Sequence, residues 1–173
     1  TAYAAERPQG GHPLIAPVNI IQHADVQRML WEMTAESELM RALALRTASM
    51  LDRAEALSST DRTKSEQWQR LAELVLPVAK TYNAETAFNV ANTGIQILGG
   101  YGYTSDYPIE RMARDIRVAS IYEGTSGIQA LDFAKRKIAG DQGSTLKLLL
   151  GLIDEEMTQG RSPLQEAWPP VRP

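Results

Sequence analysis

The sequence predicts an all-α protein, an antiparallel bundle of helices, and three observations carry that expectation. No stretch alternates apolar and polar residues with the period of two that a half-buried strand requires. Two long stretches, 26–57 and 63–98, instead repeat apolar residues at spacings near three and four. Glycine, proline and Ser/Thr/Asp clusters punctuate the chain where helices should stop and start.

The residues Thr1 to Glu6 read as the last turns of a helix that begins elsewhere, as expected of a piece of a longer protein. Arg7 to Ile21 holds three prolines and the adjacent Gly10 and Gly11, which is loop chemistry, and it is expected to cross rather than pack. Asp25 is a candidate N-cap for a long helix whose stripe runs through Val26, Met29, Met33, Met40, Leu43, Thr47, Met50, Ala54 and Leu57. Glu36 interrupts the stripe, and its small neighbour Ser37 can fill the seam. Ser58-Ser59-Thr60-Asp61 ends this helix and offers caps for the next, from about Thr63 to Leu98. Pro77 should kink or restart that second helix, because proline cannot donate to the preceding turn. Beyond it Ala84, Ala87, Ala91 and Gly94 permit close approach by a backbone or a ligand. Gly99-Gly100-Tyr101-Gly102 stops the helix, and Pro108 opens a shorter one to about Ala119. A loop with Glu123 follows, then helices at about 126–138 and 144–159 and a proline-rich tail.

The 173 residues suit one ordinary core, and a net charge of −3 leaves no basic footprint for nucleic acid or an anionic membrane surface. The absence of cysteine removes disulfides, thiol nucleophiles and thiolate metal sites together. No apolar run approaches the ~20 residues of a membrane span, so stable membrane insertion is not expected. A soluble protein of a reducing, cytoplasmic compartment fits this composition.

Residue chemistry by itself is modest about function. The glycines at 99–102 follow a helix, whereas a dinucleotide fingerprint needs a strand before the glycines, so they read first as a helix stop. Arg114 and Asp115 sit among apolar residues, and an ion-paired scaffold role is expected for both. His12 and His23 have no carboxylate cluster at ligand spacing, so no metal site is expected and both read as surface or capping residues. The methionines of the first long helix read as core. Glu123, before Gly124 at a helix-to-helix junction, is on these grounds a solvated loop glutamate.

Taken in order, the segments Ile95-Gln96-Ile97-Leu98-Gly99-Gly100-Tyr101-Gly102-Tyr103, Pro108-Ile109-Glu110-Arg111, Arg114-Asp115 and Ile121-Tyr122-Glu123-Gly124-Thr125-Ser126-Gly127-Ile128-Gln129 resemble the C-terminal signature of acyl-CoA dehydrogenases. Tyr3-Ala4 with Arg7 and Gln9 resembles the arginine segment of the same family, and the resemblance covers roughly residues 1–140. It is strongest to the larger bacterial branch that includes methylmercaptopropionyl-CoA dehydrogenases. The fold it implies is that family's four-helix C-terminal bundle over 1–140, with 141–173 as a trailing helix and tail, the start of a C-terminal extension.

The resemblance implies an FAD-dependent α,β-dehydrogenation of an acyl-CoA to a trans-2-enoyl-CoA. Glu123 would abstract the α-proton while hydride passes to flavin N5, and its backbone N–H would help polarise the thioester carbonyl. Tyr122 and Gly124 would flank the thioester, and Thr125 would contact the flavin. Arg7 would meet the FAD pyrophosphate with Gln9 nearby, while Gln96, Gly99 and Gly100 would approach the adenosine-diphosphate part. Gly10 stands where many members have phenylalanine, and Gly127 where many have a polar residue that touches the cofactor. The family also implies a homodimer or homotetramer with FAD across a subunit interface, and electron-transfer flavoprotein or a similar acceptor. The flavin-binding β-domain and N-terminal helical domain have no counterpart in these residues, so this chain alone is expected to be inactive. The alternatives are an acyl-CoA oxidase, a non-catalytic helical oligomerisation module, and a DNA-associated relative, the last disfavoured by the acidic balance.

Overall fold

The computed structural model describes residues 2–10 and 16–159, so His12 and the proline-rich tail lie outside the described residues. The protein is all-α, with seven α-helices among the described residues: α1 (Ala2–Glu6), α2 (Ala24–Leu57), α3 (Arg62–Leu98), α4 (Gly100–Tyr103), α5 (Ile109–Arg117), α6 (Ser126–Leu131) and α7 (Ser144–Gln159). The expected stripe on α2 is visible in its burial, since Met29, Thr47, Met50 and Ala54 are buried while Arg28 and Glu32 pair in solvent at 2.7 Å. Ser65 Oγ donates to Ala54 O at 2.6 Å and Asn83 Nδ2 to Met40 O at 3.4 Å. Later residues of α3 thus meet earlier residues of α2, as in an antiparallel hairpin.

Several local expectations change. Asp25 does not cap α2: it lies in the first turn and accepts from Arg28 Nη2 at 2.7 Å. A carboxylate one turn into a helix already favours the dipole, and a guanidinium three residues on is a stronger partner than an amide. Asp61 does cap α3, accepting from Lys64 N at 3.0 Å, and that backbone donor holds its carboxyl below the ordinary range. α3 runs from Arg62 to Leu98 without the restart expected at Pro77. Pro77 is itself buried, and Leu74, Val75 and Ala79 around it are buried too. Tertiary burial on both sides of the proline offsets the one backbone bond it cannot donate.

The segment expected only to cross also packs. Pro8–Gln9 (β1) and Val18–Asn19 (β2) pair antiparallel, with Pro8 opposite Asn19 and Gln9 opposite Val18. Ile20 then sinks into a core cluster with Ala4, Met29 and Ile97. A pair of two-residue strands is too short to leave a period-two signature in sequence. Gly10 is explained here, since a Cβ would sit 3.0 Å from the backbone Cα of Pro17.

Arg114 and Asp115 are ion-paired as expected, to Glu110 (3.3 Å) and Arg111 (3.9 Å), but their side chains are exposed rather than partly buried. Gly94 serves helix packing, because the Ile109 side chain lies 3.1 Å from where its Cβ would stand. The helix expected over 126–138 is α only to Leu131, then widens to a π-helical segment, Asp132–Ile138. In that segment Lys137 meets Glu73 at 2.9 Å and, with Gln69, holds the Glu73 carboxyl below its ordinary range.

The described residues form two compact units, one drawn from 2–45 and 79–126 and the other from 46–78 and 127–159. The second unit buries Met50, Leu71 and Leu74 almost completely. Within it Asp141 caps α7, accepting from Thr145 N (2.9 Å), Ser144 Oγ (3.0 Å) and Gly143 N (3.0 Å) as well as from the Thr145 hydroxyl. The Thr145 donors, with those of Ser144 and Gly143, hold its carboxyl down at about 2. A depressed folded-state value contributes stability that is present above the ordinary carboxylate range and lost as pH falls toward about 2. Acid titration followed at the Thr145 amide by NMR should therefore show a transition on that approach that Asp141→Asn lacks, since asparagine caps without titrating. Identical acid profiles for the two proteins would refute the assignment.

Candidate active site

The first unit contains an open cleft of about 810 Å³, and Arg7, Gln9, Gln96, Gly99 and Gly100 all line it. They come from separate stretches brought together by local bonds. Ile20 N donates to Arg7 O at 2.9 Å, and the β1–β2 pair fixes Gln9 beside it. His23 Nε2 lies 3.3 Å from Gln9 O, so its role is to hold this corner. From the other side α3 ends at Leu98, Gly99 turns the chain at φ 60°, and α4 starts at once. Tyr3 stacks edge-on against Tyr101 and Tyr107, with centroids 6.3 and 5.7 Å away, which ties α1 to the end of the cleft.

The donor set suits a diphosphate ester. A guanidinium fork matches phosphate oxygens, and the Gln9 and Gln96 amides can both donate and accept. Gly100 has no internal steric reason to be glycine: nothing lies within 4 Å of where its Cβ would stand. Open space beside a bare backbone is what close approach by an external group requires. Asp25 and Asp106 also line the cleft, but Asp25 is engaged by Arg28 and Asp106 accepts from Thr104 Oγ1 at 2.9 Å. From sequence Asp25 reads only as a helix cap and Asp106 as ordinary turn chemistry, so neither was legible as a cleft residue.

Tyr122, Glu123, Gly124 and Thr125 do not line this cleft; they form a separate turn of the same unit. Its entry is a 3₁₀ turn, Val118–Ser120, closed by Ile121 N and Tyr122 N donating to Val118 O at 2.9 and 3.0 Å. Glu123 then adopts φ 52°, followed by Gly124 at 93°. A left-handed backbone costs a residue with a Cβ roughly 1–2 kcal/mol, and such strain gathers at functional sites. The exit is tied to α3: Lys80 Nζ donates to Gly124 O at 2.5 Å, and Ser126 Oγ donates to Glu85 Oε1 at 2.6 Å. Glu123 is exposed, and Met112, Val118, Ile121 and Tyr122 before it each leave about half of their surface open to solvent. An exposed carboxylate in apolar surroundings is suited to meet a carbon acid whose chain covers it. Lys80 and Glu85 were not legible as site residues, since charges on a helix read as a solvated face; the one signal is the small residue Ala84, next to Glu85 and one turn after Lys80.

Among the described residues no group of three metal-ligating side chains occurs, and no helix is long and apolar enough to cross a membrane.

A family model described as the acyl-CoA dehydrogenase C-terminal domain matches residues 1–138. The 3-methylmercaptopropionyl-CoA dehydrogenase of Ruegeria pomeroyi is 39% identical over 86% of this chain and 25% of its own length. The broad-specificity linear acyl-CoA dehydrogenase FadE5 of Mycobacterium tuberculosis is 39% identical over 91% of this chain and 27% of its own. This chain therefore spans about a quarter of the length of the curated relatives it matches. An acyl-CoA dehydrogenase of Bacillus anthracis, solved with FAD, shares the fold at a TM-score of 0.67 and 24% identity, over 94% of this chain and 29% of that one.

Proposed function

The chain belongs to the acyl-CoA dehydrogenase family, as its C-terminal helical domain, and from that premise we propose that it is part of an FAD-dependent enzyme that dehydrogenates acyl-CoA thioesters to trans-2-enoyl-CoA. The observation that carries the reading is the gathering of Arg7, Gln9, Gln96, Gly99 and Gly100 on one cleft. Five positions with that donor chemistry, drawn from distant parts of the chain, suit the adenosine-diphosphate portion of FAD. Bound FAD would supply the hydride acceptor.

This chain's own residues would do the rest. Glu123 would take the α-proton of the thioester into its carboxylate. Its backbone N–H would donate to the thioester carbonyl oxygen, which stabilises the negative charge that develops there only as the proton leaves. Tyr122 and Gly124 would border the thioester and keep water from it, and Thr125 would face the flavin side. Because the Arg7 cleft and the Glu123 turn are separate, the reading includes an oligomer in which the cleft holds a neighbouring subunit's cofactor. Reoxidation would fall to electron-transfer flavoprotein or a similar acceptor.

The test is anaerobic titration of the full-length flavoprotein with acyl-CoAs from short to long chain. Bleaching of the flavin absorbance by at least one of them is expected; a spectrum that none of them alters would sink the reading. Stoichiometric peroxide release in air would reassign the protein as an oxidase.

A further inference from the structure

Glu123 is a side-chain-bearing residue at φ 52°, reached shortly after a closed 3₁₀ turn. The two groups that follow the residue are anchored. The Gly124 carbonyl is captured by Lys80 at 2.5 Å, and the hydroxyl that opens α6, on Ser126, is captured by Glu85 at 2.6 Å. Both captors stand on α3, next to the buried Ala79 and Ala84, and are themselves partly buried. Both bonds are charge-assisted, one to an ammonium and one to a carboxylate, and such bonds are shorter and roughly twice as strong as neutral ones. The chain must therefore turn between a closed 3₁₀ segment and two anchored groups, and Glu123 with Gly124 absorbs the turn. The same rotation sets where the Glu123 carboxylate points and how its N–H is aimed.

We propose that Lys80 and Glu85 are positioning residues that hold Glu123 left-handed and so aim its carboxylate and N–H at the acyl thioester. This rests on the reading of Glu123 as the base. The physical point is that a base tolerates little misplacement, since an error near 1 Å can cost on the order of 10²-fold.

The experiment uses the full-length, FAD-loaded protein and 3,3-dimethylbutanoyl-CoA, whose β-carbon bears no hydrogen. With no hydride to lose, its α-hydrogens can only exchange with deuterium from solvent, which reads the proton step alone. Lys80→Met should slow exchange roughly 10- to 100-fold, with flavin content and thioester affinity kept, and Lys80→Arg should recover most of the loss. Ser126→Ala, which removes a single hydroxyl and leaves the helices intact, should slow exchange by about 3- to 10-fold. Exchange within about twofold of wild type in flavin-replete Lys80→Met, or in Ser126→Ala where the lysine variant does not fold, overturns the proposal. The base assignment is checked separately, since Glu123→Gln should abolish exchange. Should Glu123→Gln exchange normally, the base reading fails, and crystals of Ser126→Ala and Lys80→Met decide the positioning alone: φ at residue 123 held near 52° in both overturns it.

Discussion

Replacing Glu123 by glutamine in the full-length protein should lower turnover by roughly 10²- to 10⁴-fold, the range that a positioned general base contributes. The substitution keeps size and hydrogen-bonding reach while removing the one function at issue, acceptance of a carbon-bound proton. Glutamine at φ 52° carries the same backbone cost as glutamate, so the turn and its anchors on Lys80 and Glu85 should persist. FAD should be retained in full, because none of the cleft residues is touched. Loss of an interaction made only in the transition state lowers kcat and kcat/KM together, which distinguishes it from loss of substrate binding. Turnover is measured with an artificial electron acceptor and flavin by absorbance. Wild-type rates in a flavin-replete Glu123→Gln protein would remove the residue from the mechanism.

Gly102→Ala should destabilise the protein by about 1–3 kcal/mol, the range for forcing atoms into a filled space. A Cβ there would stand 2.6 Å from Ile95 O and 2.9 Å from Ile95 Cα, and helix backbone cannot move aside as a side chain can. α4 would have to lift from the end of α3, and Gly99 and Gly100 would move with it. In the full-length protein the midpoint of thermal unfolding should fall, and flavin content should fall in parallel. Gly100→Ala is the matched comparison. Its Cβ would meet nothing within 4 Å, and alanine is the better helix former, so the fold should hold while flavin affinity drops. Equal midpoints for wild type and Gly102→Ala would show that α4 is not packed as described, and full flavin content in Gly100→Ala would show that the cleft does not carry the cofactor.

The elements were largely legible in sequence because their signals are local. The stripe from Val26 to Leu57 and the cap at Asp61 each depend on residues within a few positions of one another. Where a local signal had two solutions, residue type did not choose between them. Asp25 had both a cap and Arg28 within reach, and the guanidinium took it. Pro77 could have broken α3, yet buried turns on either side carry the helix through. The widening of α6 into π-helical turns left no mark in residue type.

By itself the sequence determined that this is a helical protein, which residues are candidates for chemistry, and, through the ordered motif from Ile95 to Gln129, the family they belong to. Glu123 could be nominated from that motif but not placed. Only the tertiary structure decided that Arg7, Gln9, Gln96, Gly99 and Gly100 share a cleft apart from Glu123, and that Glu123 is left-handed just before two groups bonded to Lys80 and Glu85. The physical reason is range. Helix periodicity and capping act over one or two turns of chain, whereas Lys80 Nζ reaches a carbonyl 44 residues away, and contacts at that separation exist only once the packed core has fixed where α3 lies.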